Sequence, residues 1–172
     1  ALALAGRGSQ HRVQPFAVNI TQPTDFGTLY ALDEVAALGN VARRHGLRVH
    51  MDGARFANAV AALDCSPADL TWRCGVDVLS LGATKNGAIN AEAVVVFDAD
   101  LAREIPYRMK RGGQVLSKAR FVSAQLARYV ADDRWLERAR RANAHAASLA
   151  QQLAALPGVS LVAPVEVNMI FL

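Results

Sequence analysis

Cysteine is scarce in this sequence, with two in 172 residues, and that scarcity excludes a disulfide framework. Neither the spacing of Cys65 and Cys74 nor any accompanying histidines suggests a metal, so a reduced, cytoplasmic setting is the expectation. Long apolar runs are missing as well: none approaches the ~18 residues that a membrane span needs. The opening "ALALAGRGSQHRVQP" has no charged leader before its short apolar stretch, which argues against a signal peptide. An initiator Met is lacking, and the chain stops in "VNMIFL", inside a strand-like pattern, so it reads as a piece of a longer protein. Nor is charge of one sign concentrated. The balance of 19 Lys+Arg against 15 Asp+Glu gives +4, yet the basic residues are dispersed, mostly Arg, and lack interleaved aromatics, unlike a nucleic-acid-binding stripe.

What is present is a core. The chain is 52% hydrophobic, enough at this length for one ordinary globular domain. "VQPFAVNI" (13–20) alternates and leads as a strand into the loop "TQPTDFGT". "LDEVAALGNVARRHG" has helical spacing and ends at Gly46, a C-terminal cap. The short strand "LRVHM" then stops at Asp52, and "ARFANAVAAL" reads as a helix. In "SPADLTW", Ser66 caps and Pro67 opens a short helix. Two apolar strands come next, "VDVLSL" and "AEAVVVF", joined by a Gly-containing loop. Helices are expected from "DADLAREI", over 114–130 and over 133–156, with acidic residues at the positive end of the first. Pro157-Gly158 closes the last, and "VSLVAPVEVNMIFL" resumes a strand pattern. The alternation implies an α/β fold with a mostly parallel sheet flanked by helices. The only expected boundary divides 1–156, a large domain with its connecting helix, from 157–172, the start of a smaller one.

Ligands of open parallel sheets gather beyond the carboxyl ends of the strands. Asp52, ending "LRVHMD", and Lys85, just past "VDVLSL", both belong there, about one strand-helix-strand unit apart. Small neighbours around Lys85 predict an amine desolvated enough for Schiff-base chemistry. A carboxylate opposite it suits a protonated pyridine nitrogen. Spacing alone leaves the plainer readings open, a solvated surface lysine and a turn-forming aspartate.

The surrounding residues resemble a known family. "VHMDGARFANA" (49–59) followed by "DVLSLGATKNGA", with "VQPFAVNITQPTDFGTLYALDEV" before and "GGQVLSKARFVSAQL" after, is similar to the low-specificity L-threonine aldolases. These belong to the β-eliminating lyase-like group of fold-type I pyridoxal phosphate enzymes. The resemblance covers nearly the whole chain. It implies the large pyridoxal-phosphate-binding domain of that fold, in part, and the start of its small C-terminal domain. It also implies Lys85 as the Schiff-base lysine, Asp52 on the pyridinium nitrogen and Arg55 on the substrate α-carboxylate, where a guanidinium fork meets two oxygens at once.

Other residues carry two readings each. Thr84 either bonds the cofactor phosphate or simply ends a strand; Thr21 and Gln22 either reach the ring hydroxyl side or form a turn. His50, on the Asp52 face of its strand, either supports that carboxylate or is a satisfied core histidine. The basic residues between Arg103 and Arg120 either neutralise a phosphate, within the chain or across a subunit interface, or form a solvated helix face. Some relatives place an arginine where "LSK" stands, so phosphate contact here falls to Lys118. The implied reaction is retro-aldol cleavage of threonine, allo-threonine or a bulkier relative such as phenylserine to glycine and an aldehyde, in a homo-oligomer without nucleic-acid or membrane partners. The Gly-rich phosphate turn and ring-stacking histidine of the family are expected outside this chain. Another fold-type I lyase or aminotransferase, or a non-catalytic module, remains as an alternative.

Overall fold

Residues 4–172 are described by a computed structural model. Four strands form one sheet in spatial order β1 (Ala17–Thr21), β2 (Arg48–Gly53), β3 (Val78–Gly82) and β4 (Glu92–Val96). Helices α1 (Leu32–Arg44), α2 (Phe56–Leu63), α3 (Ala99–Arg111), α4 (Arg120–Tyr129) and α5 (Arg134–Ala154) surround it. β1, β2 and β3 are parallel, because α1 and α2 return the chain between them. β4 is antiparallel to β3. The link between them carries only a short 3-10 turn, Thr84–Asn86, and a parallel crossover needs about a dozen residues or more. None of the described helices is long and apolar enough to cross a membrane.

Local chemistry sets the helix ends. Glu34 accepts the Ala31 N–H at 2.8 Å, and Arg43 and Arg44 occupy the negative end of α1. At that end Gly46 takes φ +63°, its N–H donating to Arg43 O at 3.0 Å and the Leu47 N–H to Ala42 O at 2.9 Å. This is the Schellman arrangement that the glycine predicts. Ser66 does cap: its hydroxyl accepts the Asp69 N–H at 3.1 Å, while Asp69 accepts the Ser66 N–H at 3.2 Å. Beyond this cap the chain forms a run of turns and a 3-10 segment, Trp72–Cys74, instead of an α-helix.

Alternation along the strands divides the sheet into two unlike faces. Ile20, Val49, Met51 and Leu79 form one cluster with Val35 and Ala42 of α1 and Phe56, Ala57 and Val60 of α2. The other face carries Asn19, Thr21, His50, Asp52 and Ser80. Helix α5 lies on α2, where buried Ala139 allows close approach. Asn58 Nδ2 donates to Asn143 Oδ1 at 2.9 Å, and Asn143 Nδ2 returns a bond to Asn58 O at 3.0 Å.

Three further expected elements differ. β1 starts only at Ala17, since Pro15 has no N–H to give a ladder. The helix expected over 114–130 begins at Arg120; before it, Gly113 at φ +68° and Lys118 at φ +59° hold left-handed conformations that no helix continues through. Residues 159–172 form no strand, because alternation specifies two faces but supplies no partner. Instead the segment closes on itself, Val162 N–H donating to Phe171 O at 2.9 Å.

Asp98 caps α3, accepting the Asp100 and Leu101 N–H groups at 2.9 Å each, with Arg48 Nη1 2.6 Å from its other oxygen. The Leu101 bond chiefly, joined by Arg48 and opposed by desolvation, holds this carboxyl below the usual carboxylate range. A depressed carboxyl stabilises the fold above its unfolded value of about 4, and that contribution disappears as pH falls through the lower folded value. In the full-length protein, the Tm difference between the unsubstituted chain and Asp98→Asn is expected to stay constant from about pH 7 to 5 and to narrow below about pH 3.5. Thermal unfolding across that range checks the sign; a difference that widens in acid contradicts it.

Candidate active site

The parallel register sets Thr21, Asp52 and Ser80 side by side at the carboxyl ends of three strands. Three connections leave from there, and between them lies a cleft of about 100 Å³. Its walls include Thr21, Gln22, Asp52, Arg55, Lys85 and Met169. The structure thus brings together Asp52, Lys85 and Arg55, and adds both loop residues after β1. A carboxylate, a primary amine and a guanidinium converge on one small space.

Each is placed by identifiable contacts. Asp52 is half-buried and uses Oδ1 to accept the Ala54 N–H at 3.0 Å, while its carbonyl accepts the Gln22 N–H at 2.9 Å. Gln22, fully buried, reads the backbone of Tyr30 with both ends of its amide: Nε2 donates to Tyr30 O at 2.8 Å and Oε1 accepts Tyr30 N–H at 3.1 Å. Arg55 precedes the first turn of α2 and donates from Nη1 to Asn168 Oδ1 at 3.0 Å. Among the described residues it has no carboxylate partner.

The lysine turn is held from behind. Asn86, next to Lys85, is buried and donates from Nδ2 to Tyr129 Oη at 2.7 Å and to Trp135 O at 2.8 Å. Burial of the Tyr129 ring pushes its hydroxyl pKa up against the Asn86 bond, so it remains a neutral partner. Lys85 itself is exposed, so the expected desolvation of its amine is not met within this chain. The physical reason is the small neighbours: Ala83, Thr84 and Gly87 leave room for a ligand, but they shield nothing from water.

Other expectations fall outside the cleft. Thr84 is exposed and its hydroxyl accepts the Ala91 N–H at 3.2 Å, closing the turn onto β4. Lys118 is exposed and does not line the cleft. His50 makes no hydrogen bond to Asp52 and is a satisfied histidine instead: its ring nitrogens face Asn19 Oδ1 and, at 2.8 Å, Ser80 Oγ. Asn86, Asn168 and Met169 were not foreseen from sequence. The Asn after Lys85 offered no local signal, since its partners Tyr129 and Trp135 lie 43 and 49 residues away; the other two lie in a segment without local pattern.

The beta-eliminating lyase family profile matches residues 1–172, the entire chain. The chain belongs to that family. Among curated relatives of this lyase-family chain, low specificity L-threonine aldolase of Pseudomonas aeruginosa is 49% identical over 94% of this chain and 47% of its own length. The enzyme of the same name from a Pseudomonas species is 46% identical over the same shares. A solved threonine aldolase from Leishmania major superposes with a TM-score of 0.85 at 25% identity, over 98% of this chain and 49% of that one. The lyase-family chain therefore spans about half the length of the relatives it matches, and its α/β fold with a mostly parallel sheet is shared with that threonine aldolase and, at a TM-score of 0.58 and 15% identity, with a solved PLP-bound aminotransferase from Clostridium difficile.

In this fold the approach of the Asp52 and Lys85 segments rests on one glycine. A Cβ on Gly82 would stand 2.7 Å from both Cα and O of Ala54, a backbone contact that cannot yield by rotating a side chain. Gly82→Ala is expected to destabilise the full-length protein by about 1–3 kcal/mol, as overpacking does. Denaturant unfolding measures this, and an unchanged midpoint contradicts it.

Proposed function

We propose that the complete protein cleaves β-hydroxy-α-amino acids, with threonine and allo-threonine as the first substrates to test and phenylserine as a bulkier one, to glycine and an aldehyde. The observation that carries this reading is the convergence of Asp52, Arg55 and Lys85 on one cleft at the carboxyl ends of parallel strands. Pyridoxal 5'-phosphate fits that donor set: an amine for its aldehyde, a carboxylate for its ring nitrogen and small residues between them. When bound, it supplies an electron sink for the pair released as the Cα–Cβ bond breaks.

The chain's own residues have separable tasks. Lys85 Nζ, the primary amine at the cleft, would hold the cofactor covalently. Asp52, oriented by the Ala54 N–H, would hold a proton on the pyridine nitrogen and so favour the transition state over the ground state. Arg55 binds the α-carboxylate and fixes which substituent stands across the cleft. Thr84 contributes through the turn it closes with Ala91. Lys118, exposed and away from this cleft, would meet a phosphate only from a neighbouring protomer, which agrees with a homo-oligomer. Residues 1–156 would then form part of the large domain and 157–172 the start of the small one, in a cytoplasmic enzyme.

The test is a coupled assay of the full-length protein with L-threonine, L-allo-threonine and phenylserine. Lys85→Ala is expected to lower kcat/KM by at least about a thousandfold, and Asp52→Asn to lower kcat more than it weakens cofactor binding. Absence of glycine from all three substrates, with turnover of amino acids lacking a β-hydroxyl, would sink this reading in favour of an aminotransferase or another lyase.

A further inference from the structure

Residues 166–169 pack across the mouth of the cleft although they lie more than a hundred positions from Arg55. Three contacts fasten them. Glu166 accepts the Leu29 N–H at 2.7 Å. Val167 is fully buried. Met169 lies against Gly27, whose φ of +79° and missing side chain make the room; a Cβ there would be 2.9 Å from Met169 Cβ. Between these anchors Asn168 accepts a hydrogen bond from Arg55 Nη1 at 3.0 Å, and Met169 joins the cleft wall.

An amide at this position differs physically from the carboxylate that usually meets a half-buried guanidinium. It accepts one N–H and so fixes the fork's direction, yet it leaves the positive charge uncompensated and the other N–H groups free. A carboxylate would orient the same fork but satisfy it. From the anchoring of residues 166–169 and the choice of an amide we infer that Asn168 is a positioning residue that keeps Arg55 aimed at a ligand carboxylate without itself competing as an anion. This rests on the assignment of Arg55 to the substrate carboxylate. The segment holding Asn168 thereby makes substrate affinity depend on its docking against the loop at residues 22–30.

The full-length, cofactor-loaded protein tests this through binding, independently of turnover. Glycine and glycinamide, which differ in the carboxylate, are titrated calorimetrically against the unsubstituted protein, Asn168→Asp, Asn168→Leu and Arg55→Ala. The expected result is glycine binding weakened about tenfold or more by Asn168→Asp and about three- to fivefold by Asn168→Leu, with glycinamide affinity within about twofold in both. The near-isosteric aspartate should do more harm than the apolar residue, because it captures the guanidinium. If both Asn168 variants bind glycine normally while Arg55→Ala loses it, the inference about Asn168 is overturned and Arg55 keeps its role. Equal losses for glycine and glycinamide indicate mere structural damage and also overturn it. Arg55→Ala without effect, or no glycine binding by the unsubstituted protein, overturns the Arg55 assignment and this inference together.

Discussion

Parallel pairing of β1, β2 and β3 is the constraint on which the rest depends. It sends three chain connections out of the same edge, so that residues 21, 52 and 85 become neighbours. A parallel sheet also demands that each return be made by a helix across a face, and α1 and α2 bury their apolar sides on Ile20, Val49, Met51 and Leu79 in doing so. Burying those side chains is worth roughly 1.5–3 kcal/mol each, so the same contacts that stabilise the domain hold the cleft's edges in register. A one-residue slip of β2 would turn Asp52 into the core and Met51 toward the cleft, two errors at once.

Compared with the rigid sheet, the lysine turn is a lighter construction. Residues 83–91 are tied by Ala83 and Thr84 to Ala91, and by Asn86 to Tyr129 and Trp135. Tyr129 and Trp135 themselves pack with centroids 5.6 Å apart, joining α4 to α5. The position of Lys85 is therefore linked to how the long helix lies on α2, through its part-buried Asn58–Asn143 pair. The exposed amine stands on a turn while Asp52 sits on a strand, which under the proposed function separates the group that would hold the cofactor from the carboxylate that would tune its ring.

Some of this is legible in the sequence and the rest is not, for physical reasons. Strands ending in Asp52 and before Lys85 are readable, because short apolar runs bounded by Gly or Asp are dictated locally. The caps at Glu34, Gly46, Ser66 and Asp98 act over three or four residues and are local for the same cause. Tertiary partners are not. Alternation in residues 159–172 could not say that no strand would pair with it, and nothing local tied Asn168 to Arg55 across 113 positions. Small residues around Lys85 suggested shelter, whereas within this chain they leave the amine exposed. Motif resemblance pointed to Asp52, Arg55 and Lys85; only the register and the packing show what holds them in place.

The polar face of the sheet shows how such a support works without touching a ligand. His50 sits one pleat below Asp52 and bridges β1 and β3 through Asn19 and Ser80. Asn19 Oδ1 can only accept, so the ring carries a proton on Nδ1, and Nε2 meets a hydroxyl that can donate or accept. The ring thereby ties β2 to both neighbouring strands directly beneath the carboxylate. Ser80 is the register partner of Asp52, yet its hydroxyl reaches back to His50. That leaves the carboxylate free of side-chain donors among the described residues, with the Ala54 N–H to orient it. Under the proposed function, a hydroxyl or imidazole donating directly to Asp52 would compete with a ring nitrogen for its charge; with the histidine one step away, the carboxylate stays available.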